Sequence, residues 1–136
     1  LLYINKVIHF LKFIFHVSTL LLIVLSLFPG SLIGFFLYGD FGVQPDIVPG
    51  NPFGTTINHF FAYFYVSFLG FCAYLKAKED DFRKLLLVLI FLSVTLEVLQ
   101  SIIPNRSFQV GDLVFNILGV LVAYFIIKIY LFIIKR

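Results

Sequence analysis

Four apolar segments limit what this chain can become. They cover residues 7–28, 57–75, 85–103 and 112–132. Each is close to the roughly 20 helical residues that cross a ~30 Å hydrocarbon core. Lipid offers no partner to a bare amide, so segments of this kind satisfy their backbone internally, as helices. Composition agrees: 61% of residues are hydrophobic, 12% are charged, and the mean hydropathy is +1.07. An ordinary soluble domain carries about 25% charged residues. The expected fold is all-α, a polytopic four-transmembrane-helix bundle. It forms one domain over residues 1–136, multi-pass in the cell membrane. Lysines precede the first segment as in a signal peptide, but no small-x-small cleavage site follows Leu27-Phe28-Pro29, so a retained helix is expected.

The breaks between segments have their own character. Pro29-Gly30 stops the first span and Pro104 the third. Residues 31–38 are apolar and aromatic but too short to span, which suits an interfacial or re-entrant segment. Residues 42–54 hold Pro45, Pro49 and Pro52 and read as an extended, turn-rich loop, either a lid or a tether. Residues 76–84 form a turn with both charge signs, and residues 105–111 a short polar hairpin. The single cysteine, Cys72, cannot form an internal disulfide and is expected to be a buried, inert thiol.

Positive charge sets the expected orientation. Four spans put both termini and the 76–84 turn on one side. That side holds Lys6, Lys12, Lys76, Lys78, Arg83, Lys84, Lys128, Lys135 and Arg136, and the other holds only Arg106. Such a bias places both termini in the cytoplasm. His59 then lies near the outer interface, with Tyr63 about 6 Å deeper at the helical rise. Gln100 and Glu97 lie about 6 and 10 Å below Pro104 by the same rise. Asp112 sits at the rim and Asn116 one turn down. His59, Glu97, Gln100, Arg106, Asp112 and Asn116 should therefore converge in the outer third of the bilayer.

Helical spacing groups further residues on shared faces. His59, Tyr63, Ser67 and Gly70 form one stripe, Ser93, Glu97 and Gln100 a second, and Asp112, Asn116, Gly119 and Ala123 a third. His9, Lys12 and His16 share a face of the first span, as an interfacial stripe or a functional histidine pair. Ionisable residues inside a span cost a few kcal/mol and mark functional sites by default. Glu97 and His59 are the candidate proton donors and acceptors. Arg106 is the candidate phosphate or carboxylate ligand, through a bidentate contact. Gln100, Asn116 and Tyr63 would orient polar groups, and Asp112 would fix Arg106 or His59.

The bland alternative is that these groups satisfy one another. In that case Arg106–Asp112 is a hairpin salt bridge, or Asp112 only caps the fourth helix. Transport is disfavoured, because residues 71–75, 85–91 and 119–127 contain no Asp, Glu, Lys, Arg or His. A metal site from His59, Glu97 and Asp112 lacks close ligand spacing. No P-loop, dinucleotide fingerprint, HExxH or nucleophile elbow occurs, so no cofactor is expected. The expected partner is a membrane lipid or lipid-linked precursor and not nucleic acid, with the chain alone or in a homo- or hetero-oligomer.

Glu97, Gln100, Arg106, Asp112, Asn116 and Gly119 resemble the E-x-x-Q…R…D-x-x-x-N-x-x-G signature of VanZ-like membrane proteins. Ser26-Leu27-Phe28-Pro29 is similar to that family's S-L-x-P, and His59-Phe60 with Tyr63 to its His-Phe and Tyr. Thr55 and Thr56 stand where the family usually has Asp-Lys, so a role that needs those two charges is not expected here. The resemblance implies a small bacterial integral membrane protein whose shared site is Glu97, Gln100, Arg106, Asp112 and Asn116. It also implies a link to glycopeptide resistance, since the founding member is associated with low-level teicoplanin resistance. Teicoplanin carries an acyl chain and acts at the outer membrane surface on lipid-linked cell-wall precursors.

Overall fold

The computed structural model describes residues 2–134. It contains α1 (Leu2–Leu27), α2 (Leu32–Tyr38), α3 (Thr56–Ala73), α4 (Glu79–Gln100) and α5 (Val110–Ile134), and no strand among the described residues. Lys135 and Arg136, which enter the charge argument above, lie outside those residues. Two helices, α1 from Ile4 onward and α5, are long and apolar enough to cross a membrane.

The helix ends differ from the expected spans for local reasons. α4 begins at Glu79, well before residue 85, and Glu79, Asp80 and Asp81 occupy its first turn. Acidic side chains are favourable at that end because they meet the positive pole of the helix dipole. Charges that look like a turn in the sequence therefore start a helix. At its other end α4 stops at Gln100, and Ser101, Ile102 and Ile103 tighten into three-residue turns that bond Val98, Leu99 and Gln100. The 31–38 segment forms α2. The Ser31 hydroxyl caps it by accepting from the Gly34 amide at 2.9 Å, and Gly39 closes it in the left-handed region at φ 72°.

The four long helices alternate in direction, as contacts at the two ends of the bundle require. At one end Lys128 of α5 donates to Glu79 of α4 at 2.6 Å, and Lys12 of α1 lies 4.8 Å over the Tyr74 ring just after α3. Beside them Phe71, Phe82 and Tyr124 pack ring on ring, with centroids 4.8 to 5.7 Å apart. At the opposite end the start of α3, the end of α4 and the start of α5 meet through polar side chains. Outward faces carry Phe13, Leu20, Leu87, Phe91, Phe125 and Ile133, all exposed. An apolar exterior this extensive is unlike that of a soluble monomer.

The three sequence stripes are the buried faces of α3, α4 and α5. Tyr63, Ser67, Gly70, Ser93, Glu97, Gln100, Asp112, Asn116, Gly119 and Ala123 are all buried. The α1 stripe is different: His9 and His16 are exposed and belong to no common cluster. The His9 Nδ1 donates to the Asn5 carbonyl at 2.7 Å, and His16 lies on Phe15. Cys72 is partly exposed at the edge of the core, contrary to the expected buried thiol, because its side of α3 is only half covered.

The closest helix contact is between α3 and α5 at Gly119. A Cβ there would stand 2.5 Å from the Phe60 carbonyl oxygen and 2.8 Å from the Phe64 amide nitrogen. Both obstacles are backbone, so neither can rotate away. Gly119→Leu should force the helices apart and lower stability by about 1–3 kcal/mol or more. Leu118→Ala, on the exposed side of the same turn, should melt close to wild type. Thermal melting of the two detergent-purified variants checks this pair.

Candidate functional site: a polar chain across three helices

The polar end of the bundle is built on a chain of contacts. The His59 Nε2 lies 3.3 Å from Asp112 Oδ2. Its Nδ1 lies 3.1 Å from Asn116 Oδ1. The Asn116 amide nitrogen donates to Glu97 Oε2 at 3.3 Å, and the Gln109 backbone N–H donates to Glu97 Oε1 at 3.0 Å. Helical spacing makes this possible, since Asp112 and Asn116 lie one turn apart on α5 and present both their groups to one histidine. Glu97 and Asn116 are each only 1% exposed.

Two proton arrangements fit these distances. In one, His59 is an imidazolium that donates to Asp112 and to the Asn116 oxygen, while the Asn116 nitrogen donates to an ionised Glu97. In the other, the Asn116 amide is turned over. A protonated Glu97 then donates to its oxygen, and its nitrogen donates to a neutral His59 that still donates to Asp112. The arrangements differ by one proton moved between Glu97 and His59 and one amide rotation. Side chains so arranged can hold a proton at either end, as general acid–base chemistry needs.

Arg106 is placed differently from the expected bidentate ligand or hairpin salt bridge. Its Nε donates to the Phe28 carbonyl at 3.1 Å, and its Nη2 to the carbonyls of Leu25 at 3.0 Å and Gly30 at 2.7 Å. The cause is the end of α1, where Pro29 stops the helix, carbonyls lack intrahelical partners and the dipole is negative. Asp112 pairs with His59 instead. Asp112 lies within the first turn of α5, and the amide of Leu113 is taken by the Gln109 carbonyl, so capping is not its role. Burial pulls the Arg106 guanidinium below its ordinary pKa, and the carboxylates of Glu97 and Asp112 oppose that shift. Starting from so high a value, it remains charged.

Tyr63, fully buried below His59, hydrogen-bonds Ser26 of α1. Gln100 is buried at the end of α4 and lines two adjoining chambers. The larger is a mostly apolar cavity of about 170 Å³ between α1, α2 and α3, walled by Leu22, Leu25, Leu32, Ile47, Ala62 and Tyr63. The smaller is polar, about 90 Å³, and includes Asn105, Ser107, Gln109 and Asp112. Gln44, His59, Gln100 and Arg106 line both. Among the described residues, no group of three His, Cys, Asp or Glu side chains could hold a metal ion.

Some contributors escape sequence reasoning. The Gln109 amide acts through its backbone and leaves no side-chain signal. The loop of residues 42–54 is neither a loose tether nor a detached lid, but a wall. The Asn58 side chain fastens it to α3 by donating to the Pro45 carbonyl at 2.6 Å and accepting from the Ile47 amide at 3.0 Å. That brings Gln44, Pro45 and Ile47 to the cavity. A polar Asn58 next to His59, at the edge of an apolar span, was the available clue.

The fold and the site together describe a helical bundle with an apolar exterior and a polar pocket at one end. The chain belongs to the VanZ/LLP1 family, whose model matches residues 1–133. Family membership and the two membrane-length apolar helices point to a membrane protein. No curated protein and no solved structure matches the chain.

Arg106→Ala would strand three carbonyls at the end of α1, where each bond to a charged group contributes about 1.5–3 kcal/mol. The variant should lose at least ~2 kcal/mol of stability by the same reckoning. Arg106→Lys should restore only part of it, because an ammonium lacks the two-edged fork. Melting curves of the three proteins decide the point.

Proposed function

We propose that the chain is a four-span bundle with both termini in the cytoplasm and its polar site near the outer face. There it binds or modifies an envelope lipid or a lipid-linked cell-wall precursor. One observation carries the reading: an apolar cavity adjoins a polar chamber, with Gln44, His59, Gln100 and Arg106 lining both. Such a pair suits an amphiphile, with hydrocarbon in one chamber and headgroup in the other. Glu97 and His59 would hold or move the proton if the ligand is modified. Gln100, Asn116, Asp112, Tyr63 and the remaining edge of Arg106 would orient it.

The charge pattern supports the orientation. Lys76, Lys78, Arg83 and Lys84 lie at or near the Glu79–Lys128 pair, at the far end of the bundle from the polar site. Basic residues favour the cytoplasmic side. The packed rings of Phe71, Phe82 and Tyr124 fill that end and weigh against a continuous path for solute. A second reading, in which the cluster only holds the bundle together, draws on the mutual bonds of His59, Asn116 and Glu97. Gln100 speaks against it, since its side chain bonds none of those three and lines both chambers instead.

Native mass spectrometry of the detergent-purified chain separates the two readings. Wild type should carry a specific lipid, while Glu97→Gln and Gln100→Leu should lose it and keep their melting temperatures. Lost stability, with no specific lipid on wild type, would make the cluster bundle architecture. A reporter fused after Arg136 should report a cytoplasmic C-terminus, and an extracytoplasmic signal would overturn the orientation.

A further inference from the structure

We infer that the headgroup taken by this site is zwitterionic, a phosphodiester bearing an ammonium group, with the ammonium held by Asp112 and the phosphate by the free edge of Arg106. The inference rests on the amphiphile reading above and specifies its ligand.

The starting point is an unpartnered atom. Ser67 Oγ and Asp112 Oδ1 are the buried side-chain atoms without a hydrogen-bond partner among the described residues. Of the two residues, only Asp112 lines a chamber. Asp112 is 7% exposed, and its Oδ2 is already taken by His59. A carboxylate oxygen accepts and cannot donate, so what completes it must bring an N–H or O–H. Leaving such an atom buried and bare is costly, so a donor supplied by a ligand is strongly favoured there.

Arg106 limits the anionic part. Its Nε and Nη2 are committed to the end of α1, which leaves Nη1 as the guanidinium nitrogen without a bond among the described residues, on a residue that lines both chambers. One nitrogen suits a single phosphate oxygen and not the two-pronged grip that a phosphate monoester or carboxylate would use. Charge selects in the same direction. The ionisable groups of the site are Glu97, Asp112, His59 and Arg106, whose charges sum to zero in either of the two proton arrangements described above. A phosphate monoester would add a second strong negative charge beside two carboxylates. A zwitterion adds none and brings the donor that Asp112 lacks. Because the polar chamber shares four residues with the apolar cavity, the hydrocarbon must begin close to the phosphate.

The test uses the full chain in a maltoside detergent and isothermal titration with short-chain probes. They are dihexanoyl phosphatidylethanolamine, its N-acetyl derivative, dihexanoyl phosphatidylglycerol and farnesyl phosphate. Phosphatidylethanolamine should bind at least about tenfold more tightly than the other three, a difference of ~1.4 kcal/mol. Asp112→Asn should erase that preference. The N-acetyl probe removes the ammonium without altering the protein, so the comparison holds even if the variant does not fold. Equal or tighter binding of phosphatidylglycerol, farnesyl phosphate or the N-acetyl probe would overturn the zwitterion and leave an amphiphile site standing. Failure of all four probes to bind would overturn both.

Discussion

The backbone contact between α3 and α5 at Gly119 governs the geometry of the polar site. With no side chain at Gly119, α5 lies directly on the Phe60–Phe64 turn of α3. One turn before Gly119 comes Asn116, and one further turn Asp112. His59 immediately precedes Phe60. The close approach thus brings one imidazole within reach of both α5 side chains. A wider helix separation would leave each of these groups buried without its partner, which is the costly condition for polar atoms in an apolar setting. The same contact leaves Asn116 free to turn its other side to Glu97 on α4. Packing and chemistry are therefore set by the same residue spacing.

Arg106 does for α1 what Gly119 does for α5. α1 is mostly covered by apolar side chains that face outward, and little of it is buried against the other helices. Its far end is held by the Arg106 guanidinium, with Tyr63–Ser26 as a second polar tie. These ties keep α1 and α2 at the distance from α3 that forms the cavity. At Gly34, α2 presses against the Val43 carbonyl, where a Cβ would collide. This contact and the Asn58 clamp hold the loop as a cavity wall.

Much of the helical framework was legible because apolar length and 3.6-residue periodicity are local properties. The buried stripes of α3, α4 and α5 follow from spacing alone, down to Ser67 and Ser93. The start of α4 was not, since Glu79–Asp81 satisfy a helix N-terminus as readily as a turn. The seven-residue α2 escaped notice as a helix because its identity rests on the Ser31 cap and Gly39, too short a pattern for periodicity to register. Within the site, the proximity of His59, Asp112, Asn116 and Glu97 was approachable from topology plus helical rise. The partners of Arg106 were not, because backbone carbonyls have no signature in the residue types that carry them. The orphaned Asp112 oxygen likewise exists only once His59 has claimed the other one.

The central claim is that the α3–α5 contact locks His59 between Asp112 and Asn116. Nitrogen-15 NMR of the histidine-labelled full chain in detergent tests it, with His59 assigned by its loss in His59→Gln. Both ring nitrogens of His59 should report hydrogen-bonded environments, and Gly119→Ala should shift both while the signals of His9 and His16 stay in place. His59 ring nitrogens that report no hydrogen bond and ignore the Gly119 substitution would contradict the account.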